Sequence, residues 1–214
     1  MRIALHYAPT TCALVPYVNL TEAGADFEVI PVNFFTSQNM SPEYLKVNPL
    51  HKVPVLELND MRITENIAIQ IWMARAFPHA RLLPTNAMQE IRAISLMGWF
   101  GSGIHPHLSR INSPKKFCDV TATEESVRRL AAKQIDENFH VVDQLLSGRE
   151  FFFDHYTAPD IYFFWCFRRA TQFNLPLSRF TQAAAHFERM RERPSVKKLL
   201  AFEAETIARM KQTI

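Results

Sequence analysis

The stretch that decides the fold is Asn48-Pro49-Leu50-His51-Lys52-Val53-Pro54-Val55-Leu56-Glu57-Leu58-Asn59-Asp60, continuing as Met61-Arg62-Ile63-Thr64-Glu65-Asn66-Ile67-Ala68-Ile69. Val53 to Leu58 is mostly apolar and alternates only at its end, the pattern of a largely buried strand. Asn59-Asp60 has turn chemistry, and Met61-Arg62-Ile63 reads as the returning strand of a hairpin. A helix then begins at Thr64-Glu65-Asn66, with Ile67, Ile71 and Ala74 along one face and Ile69 and Met73 beside them. Pro54 is out of place inside a strand, because proline brings no N–H to the ladder. It predicts either an edge position or a cis Val53–Pro54 bond, which costs an X-Pro peptide only about 0.5–1 kcal/mol. Val53 would then offer its N–H and C=O to a peptide-like ligand, and the helix N–H groups at Glu65-Asn66 would suit a carboxylate.

Working outward toward the N-terminus, Arg2 to Tyr7 reads as a first strand and Ala8-Pro9-Thr10-Thr11 as a turn. Cys12 to Ala23 is a helix ended by Gly24, and Phe27 to Asn33 is a second strand. Phe34 to Lys46 is irregular, with a short helix from Pro42. Strand, helix, strand, connection, hairpin, helix implies a small mixed sheet with helices on both faces. In the other direction, residues 78–86 are bracketed by prolines, carry no period and read as a linker. Beyond them only helical periods follow, roughly Ala87 to Ile111, Thr123 to Leu146, Ala158 to Phe173, Gln182 to Glu192 and Ser195 to Lys211. The expected division is residues 1–77 as an α/β domain, 78–86 as linker and 87–214 as an all-helical domain.

Composition narrows the function classes. A chain of 214 residues, 48% hydrophobic and 21% charged, suits an ordinary globular protein with a sizeable core. The net charge of +3 is small and its basic residues are scattered, so neither nucleic acid nor an anionic membrane is the expected partner. Met1 to Leu5 is followed at once by His6, too short for the apolar run of a signal peptide. Tyr162 to Phe167, the densest aromatic cluster, is far too short to span a bilayer. Cys12, Cys118 and Cys166 are odd in number and widely spaced, which points to a reducing compartment and away from a disulfide framework or a zinc site.

Asn48-Pro49-x-x-Lys52-Val53-Pro54-x-Leu56, followed by Thr64-Glu65-x-x-Ala68-Ile69, resembles the glutathione-binding half of cytosolic glutathione transferases. The resemblance implies a thioredoxin-like N-terminal domain, an all-α C-terminal bundle, glutathione as co-substrate, a small electrophile as second substrate, and no metal. It also implies a cytoplasmic homodimer serving detoxification. Tyr156-Thr157-Ala158-Pro159-Asp160-Ile161 looks like the capping motif of the family's sixth helix: Thr157 as N-cap, Asp160 reaching back, Tyr156 and Ile161 as a staple. That carries the likeness into both domains. Tyr7-Ala8-Pro9-Thr10-Thr11-Cys12-Ala13-Leu14 is similar to the start of the bacterial beta class, whose cysteine faces the glutathione sulfur. Thr10-Thr11 stands where that class carries a small Gly-Ala or Gly-Ser pair, and Ala13 where serine often follows.

Several residues are candidates for chemistry. Cys12 at a helix start should have its thiol pKa lowered by the helix dipole, and without a Cys-x-x-Cys partner its disulfide exchange needs an external thiol. Tyr7 is the rival, since Leu5-His6-Tyr7 also resembles the tyrosine-type transferases; failing that, Tyr7 and Trp165 would wall the second-substrate pocket. His105 matches the beta-class histidine near the sulfur, and Gly98 replaces that class's usual asparagine. Gly98, Gly101 and Gly103 each cost a helix about 1 kcal/mol, so a ligand or a helix is expected to approach closely there, with Ser102 and His105 turned to the ligand. Glu65 suits the γ-glutamyl ammonium, the Asn66 amide NH₂ the adjacent α-carboxylate, Val53 the cysteinyl backbone and Lys52 the glycyl carboxylate. The expected activity is attack of glutathione thiolate on an electrophile, or disulfide exchange through Cys12; a non-catalytic protein of the same fold is the alternative.

Overall fold

The computed structural model describes residues 1–212. The chain forms two compact units, Met1–Leu83 joined by the segment from Glu192 onward, and Pro84–Arg191. The edge between the units, at Leu83 and Pro84, falls inside residues 78–86. The last helix, read from sequence with the helical half, instead packs with the first unit.

In the first unit a four-stranded sheet runs β2-β1-β3-β4. β1 (Ile3–Tyr7) pairs parallel with β2 (Glu28–Pro31) and antiparallel with β3 (Val55–Leu58), and β3 turns back into β4 (Met61–Thr64). Every residue of β1 is buried, as expected of a central strand. Pro31 ends the edge strand β2, where a missing donor costs nothing. α1 (Leu14–Glu22) stops at Gly24, whose φ of 62° is the left-handed conformation a helix end requires. A short α2 (Pro42–Leu45) and then α3 (Asn66–Ala76) follow. The Val53–Pro54 bond is cis. The segment expected to be a linker is anchored by Leu82 and Leu83, both buried.

The second unit is helical: α4 (Ala87–Trp99), a wide π-turn over Phe100–Ile104, α5 (His105–Asn112), α6 (Glu124–Leu145), α7 (Ala158–Gln172) and α8 (Thr181–Arg191). Ala131, Ile135, Phe139 and Val142 form the buried stripe of α6 at helical spacing. Phe139 stacks on Phe167 at 5.6 Å and meets Phe163 and Phe180 edge-on, so much of the phenylalanine content goes into one aromatic core. The capping motif forms as expected: Asp160 accepts from the Thr157 N–H at 2.8 Å and the Thr157 hydroxyl at 2.9 Å.

α9 (Pro194–Lys211) closes the first unit. Phe202 stacks on Tyr17 of α1 at 5.2 Å and touches Tyr7 at 5.7 Å, while Arg193 reaches Glu22. Among the described residues, no helix is long and apolar enough to cross a membrane, and no group of three or more potential metal ligands gathers.

Candidate functional site

Asn48 explains why the deciding stretch reads Asn-Pro-x-x-Lys-Val-Pro. Its buried amide donates to the Lys52 carbonyl at 2.9 Å and accepts from Leu50 N–H at 3.0 Å, and the Tyr44 hydroxyl donates to the same carbonyl at 2.8 Å. That clamp holds Val53 at the head of β3. There the Val53 carbonyl lies 3.7 Å from the Cys12 sulfur, which donates to it. The Cys12 carbonyl in turn accepts from Asn66 Nδ2 at 3.0 Å. Three segments distant in sequence, the turn after β1, the lead into β3 and the start of α3, thus meet at one cysteine.

Beside them Glu65 is exposed and adopts φ 65°, ψ 122°, a region that costs a non-glycine residue about 1–3 kcal/mol and is concentrated at functional sites. No side chain caps α3, so its first-turn N–H groups have no intrahelical acceptor. Lys52 is exposed nearby, and its charge favours the Cys12 thiolate whereas Glu65 opposes it.

Four expectations are corrected. Cys12 is not an activated thiolate: burial pushes its pKa up from 9.0 to about 12. α1 starts only at Leu14, and the sulfur is withdrawn from solvent, so desolvation outweighs the hydrogen bonds that favour the charged form. Asn66 does not aim its NH₂ outward at a ligand; the buried side chain ties α3 to the Cys12 loop, and its Oδ1 has no partner. Tyr7 walls no substrate pocket and offers no phenol to a ligand. Fully buried, it donates its hydroxyl to Glu203 at 2.7 Å. Trp165, 3% exposed, is likewise core, with the His105 ring edge-on to it at 4.4 Å.

In the second unit Ser102 is exposed and donates to the Gly98 carbonyl at 2.9 Å. His105 begins α5 directly after the π-turn, a distortion common at functional sites. The glycines there answer to packing. A Cβ at Gly103 would stand 2.7 Å and 2.9 Å from the Trp99 indole, whose N–H donates to Asn138, and one at Gly101 would crowd the Tyr162 hydroxyl at 3.2 Å. Gly98 faces open space. Gly103→Ala should therefore destabilise by about 1–3 kcal/mol through overpacking, whereas Gly98→Ala should stabilise by up to about 1 kcal/mol through helix propensity. Denaturant melts check the opposite signs; equal shifts would refute this account of the glycines.

Sequence reasoning missed Glu203. Its signal was present: Val196, Leu199, Glu203, Thr206 and Met210 form the buried stripe of α9, and a carboxylate on an apolar stripe needs a partner.

A sequence model of the glutathione S-transferase N-terminal domain matches residues 4–75. Beyond that segment, glutathione S-transferase GstA of Escherichia coli is 28% identical over 203 residues, covering 93% of this chain and 98% of that protein. The chain carries a glutathione S-transferase N-terminal domain and is similar to a bacterial glutathione transferase along nearly its whole length. Solved structures of bacterial transferases match it along nearly all its length. A beta-class enzyme of Sphingomonas chungbukensis superposes with a TM-score of 0.82 at 27% identity, covering 94% of this chain and 98% of that one. A sphingomonad transferase complexed with glutathione gives 0.83 at 26% identity over the same 94% and 98%. Cys12, Val53, Glu65 and Asn66 all fall inside the matched N-terminal domain.

Proposed function

We propose that this protein binds glutathione on its first unit, conjugates the glutathione thiolate to small electrophiles, and exchanges disulfides through Cys12. The observation that carries the reading is the meeting of Cys12, Val53 and Asn66 beside a strained Glu65 and an uncapped α3. Glu65 takes the γ-glutamyl ammonium, and the first-turn N–H groups of α3 take the neighbouring carboxylate. Val53 takes the cysteinyl backbone and Lys52 the glycyl carboxylate. Asn66 acts through Cys12 as a positioning residue.

The thiol pushed up to about 12 is a neutral S–H donor at physiological pH. On glutathione binding the S–H turns from the Val53 carbonyl to the glutathione thiolate, which it stabilises without adding a second negative charge beside it. Lowering that thiol's pKa by two units takes about 2.7 kcal/mol. No observation favours a non-catalytic binder. A cytoplasmic role in detoxification accords with this chemistry.

Glu65→Ala should weaken glutathione binding by about 1.5–3 kcal/mol, the range for hydrogen bonds to charged groups. Calorimetry returning wild-type affinity in a folded variant would remove Glu65 from the site and the reading with it. We also infer a homodimer, because Met88 and Ile91 are 63% and 60% exposed one turn apart on α4. Light scattering should give twice the 24.8 kDa of one chain; a mass of one chain at micromolar concentration would reject it.

A further inference from the structure

We propose that Glu203, on the last helix, is a positioning residue for the reactive cysteine. It rests on the reading of Cys12 as the group that exchanges disulfides. One oxygen of the Glu203 carboxyl group accepts from the Tyr7 hydroxyl at 2.7 Å and from the Thr10 backbone N–H at 2.7 Å. The side chain is 2% exposed. It therefore pins both ends of the segment that leads from β1 to Cys12. Thr10 needs that pin. Its φ is 63°, a left-handed conformation in which a β-branched residue is an outlier. Glycine would adopt it freely. Threonine holds it because its N–H is fixed by Glu203 and because the neighbouring Thr11 hydroxyl closes the turn on the Ala8 carbonyl at 2.7 Å.

Glu203 reaches the Cys12 segment through the Tyr7 hydroxyl and the Thr10 N–H, so the influence proposed for it is geometric. A neutral side chain of the same reach should then replace it, and a charged side chain one methylene shorter should not. The reaction that reads the placement is attack of the Cys12 sulfur on glutathione disulfide. The disulfide's S–S bond breaks, a bond forms between Cys12 and one glutathionyl sulfur, and the other glutathione leaves and takes up the proton that Cys12 gives up. No further oxidant is required.

The experiment follows the rate of the glutathione adduct on Cys12 by mass spectrometry, in wild type, Glu203→Gln, Glu203→Asp and Glu203→Leu, with glutathione affinity measured in parallel by calorimetry. Glu203→Gln should react within about threefold of wild type. Glu203→Asp should be slowed about tenfold with glutathione affinity unchanged, a split that general loss of structure would not produce, and Glu203→Leu should be slowed further. Should Glu203→Leu fail to fold, the Asp and Gln variants still decide. Wild-type rates in Glu203→Asp, or equal slowing of Gln and Asp, would overturn the proposal. Absence of any Cys12 adduct in wild type would instead overturn the reading on which it rests.

Discussion

Cys12→Ala is expected to abolish glutathione-dependent disulfide exchange while leaving a substantial part of the conjugation activity in place. Exchange proceeds through a sulfur–sulfur bond that alanine cannot make. The chain has only two other cysteines: Cys166 is buried, and Cys118 lies in the second unit with its sulfur accepting from Thr123. The reductase rate should drop by at least about a hundredfold, the scale on which a covalent nucleophile is lost. Conjugation needs only a bound, deprotonated glutathione. There Cys12 contributes one weak S–H donor, so its removal should cost about 0.5–1.5 kcal/mol, or roughly 2- to 12-fold. Parallel assays with a mixed-disulfide substrate and an aryl halide check the split. A reductase rate within tenfold of wild type would show that Cys12 does not carry exchange. Were Tyr7 the active group, Tyr7→Phe would impair conjugation severely. With its hydroxyl committed to Glu203, Tyr7→Phe should act mainly on stability.

Asp160→Ala should be among the most damaging substitutions in the second unit although it touches no substrate. The carboxyl group is fully buried and receives four donors: the Thr157 N–H and hydroxyl, the Phe152 N–H at 3.0 Å, and the His186 ring nitrogen at 3.0 Å. Alanine would leave all four without an acceptor in an aromatic cage where Phe152 and Phe163 pack on the His186 ring. Removing one partner from such a buried cluster costs about 3–5 kcal/mol. At about 2–4 °C of Tm per kcal/mol for a chain of this size, the melting temperature should fall by roughly 10 °C. Calorimetric melting checks this, and a fall under about 3 °C would mean that the cap is dispensable.

Legibility from sequence followed the range of the interactions involved. The hairpin, the Gly24 helix end and the Thr157–Asp160 cap are local, written in turn chemistry, period and capping residues a few positions apart. Lys52, Val53, Glu65 and Asn66 stood out by their spacing in one short segment, and the structure brings Val53 and Asn66 to Cys12 while leaving Lys52 and Glu65 exposed. What failed to read was burial. Cys12 stands near a helix start, where a lowered pKa is expected, yet the fold withdraws its sulfur from water and the sign reverses. Tyr7 at a strand end looks the same whether its hydroxyl meets a ligand or a carboxyl group 196 residues away. The glycine cluster left a ligand and a helix both open as the close approach, and the packed structure puts Trp99 against Gly103 and Tyr162 of α7 against Gly101. Assignment of the last helix to the first unit also depended on long-range partners, Phe202 on Tyr17 and Arg193 on Glu22.

On the function proposed above, Cys12 is inert as a free thiol and reacts when glutathione disulfide is bound beside it. A thiol pushed up by burial holds far less thiolate than an ordinary cysteine, and the higher basicity of that thiolate recovers only part of the loss. Binding can far exceed the deficit, since well-oriented groups reach effective molarities of about 10⁵–10⁸ M. The measurement is peptide-resolved mass spectrometry after two treatments at pH 7.5, one with iodoacetamide and one with glutathione disulfide. Iodoacetamide, which has no site, should modify the partly exposed Cys118 ahead of Cys12, with Cys12 labelling still rising above pH 10. Glutathione disulfide should reverse the order and place its adduct on Cys12. An unmodified Cys12 after glutathione disulfide, or an adduct confined to Cys118, would contradict the account.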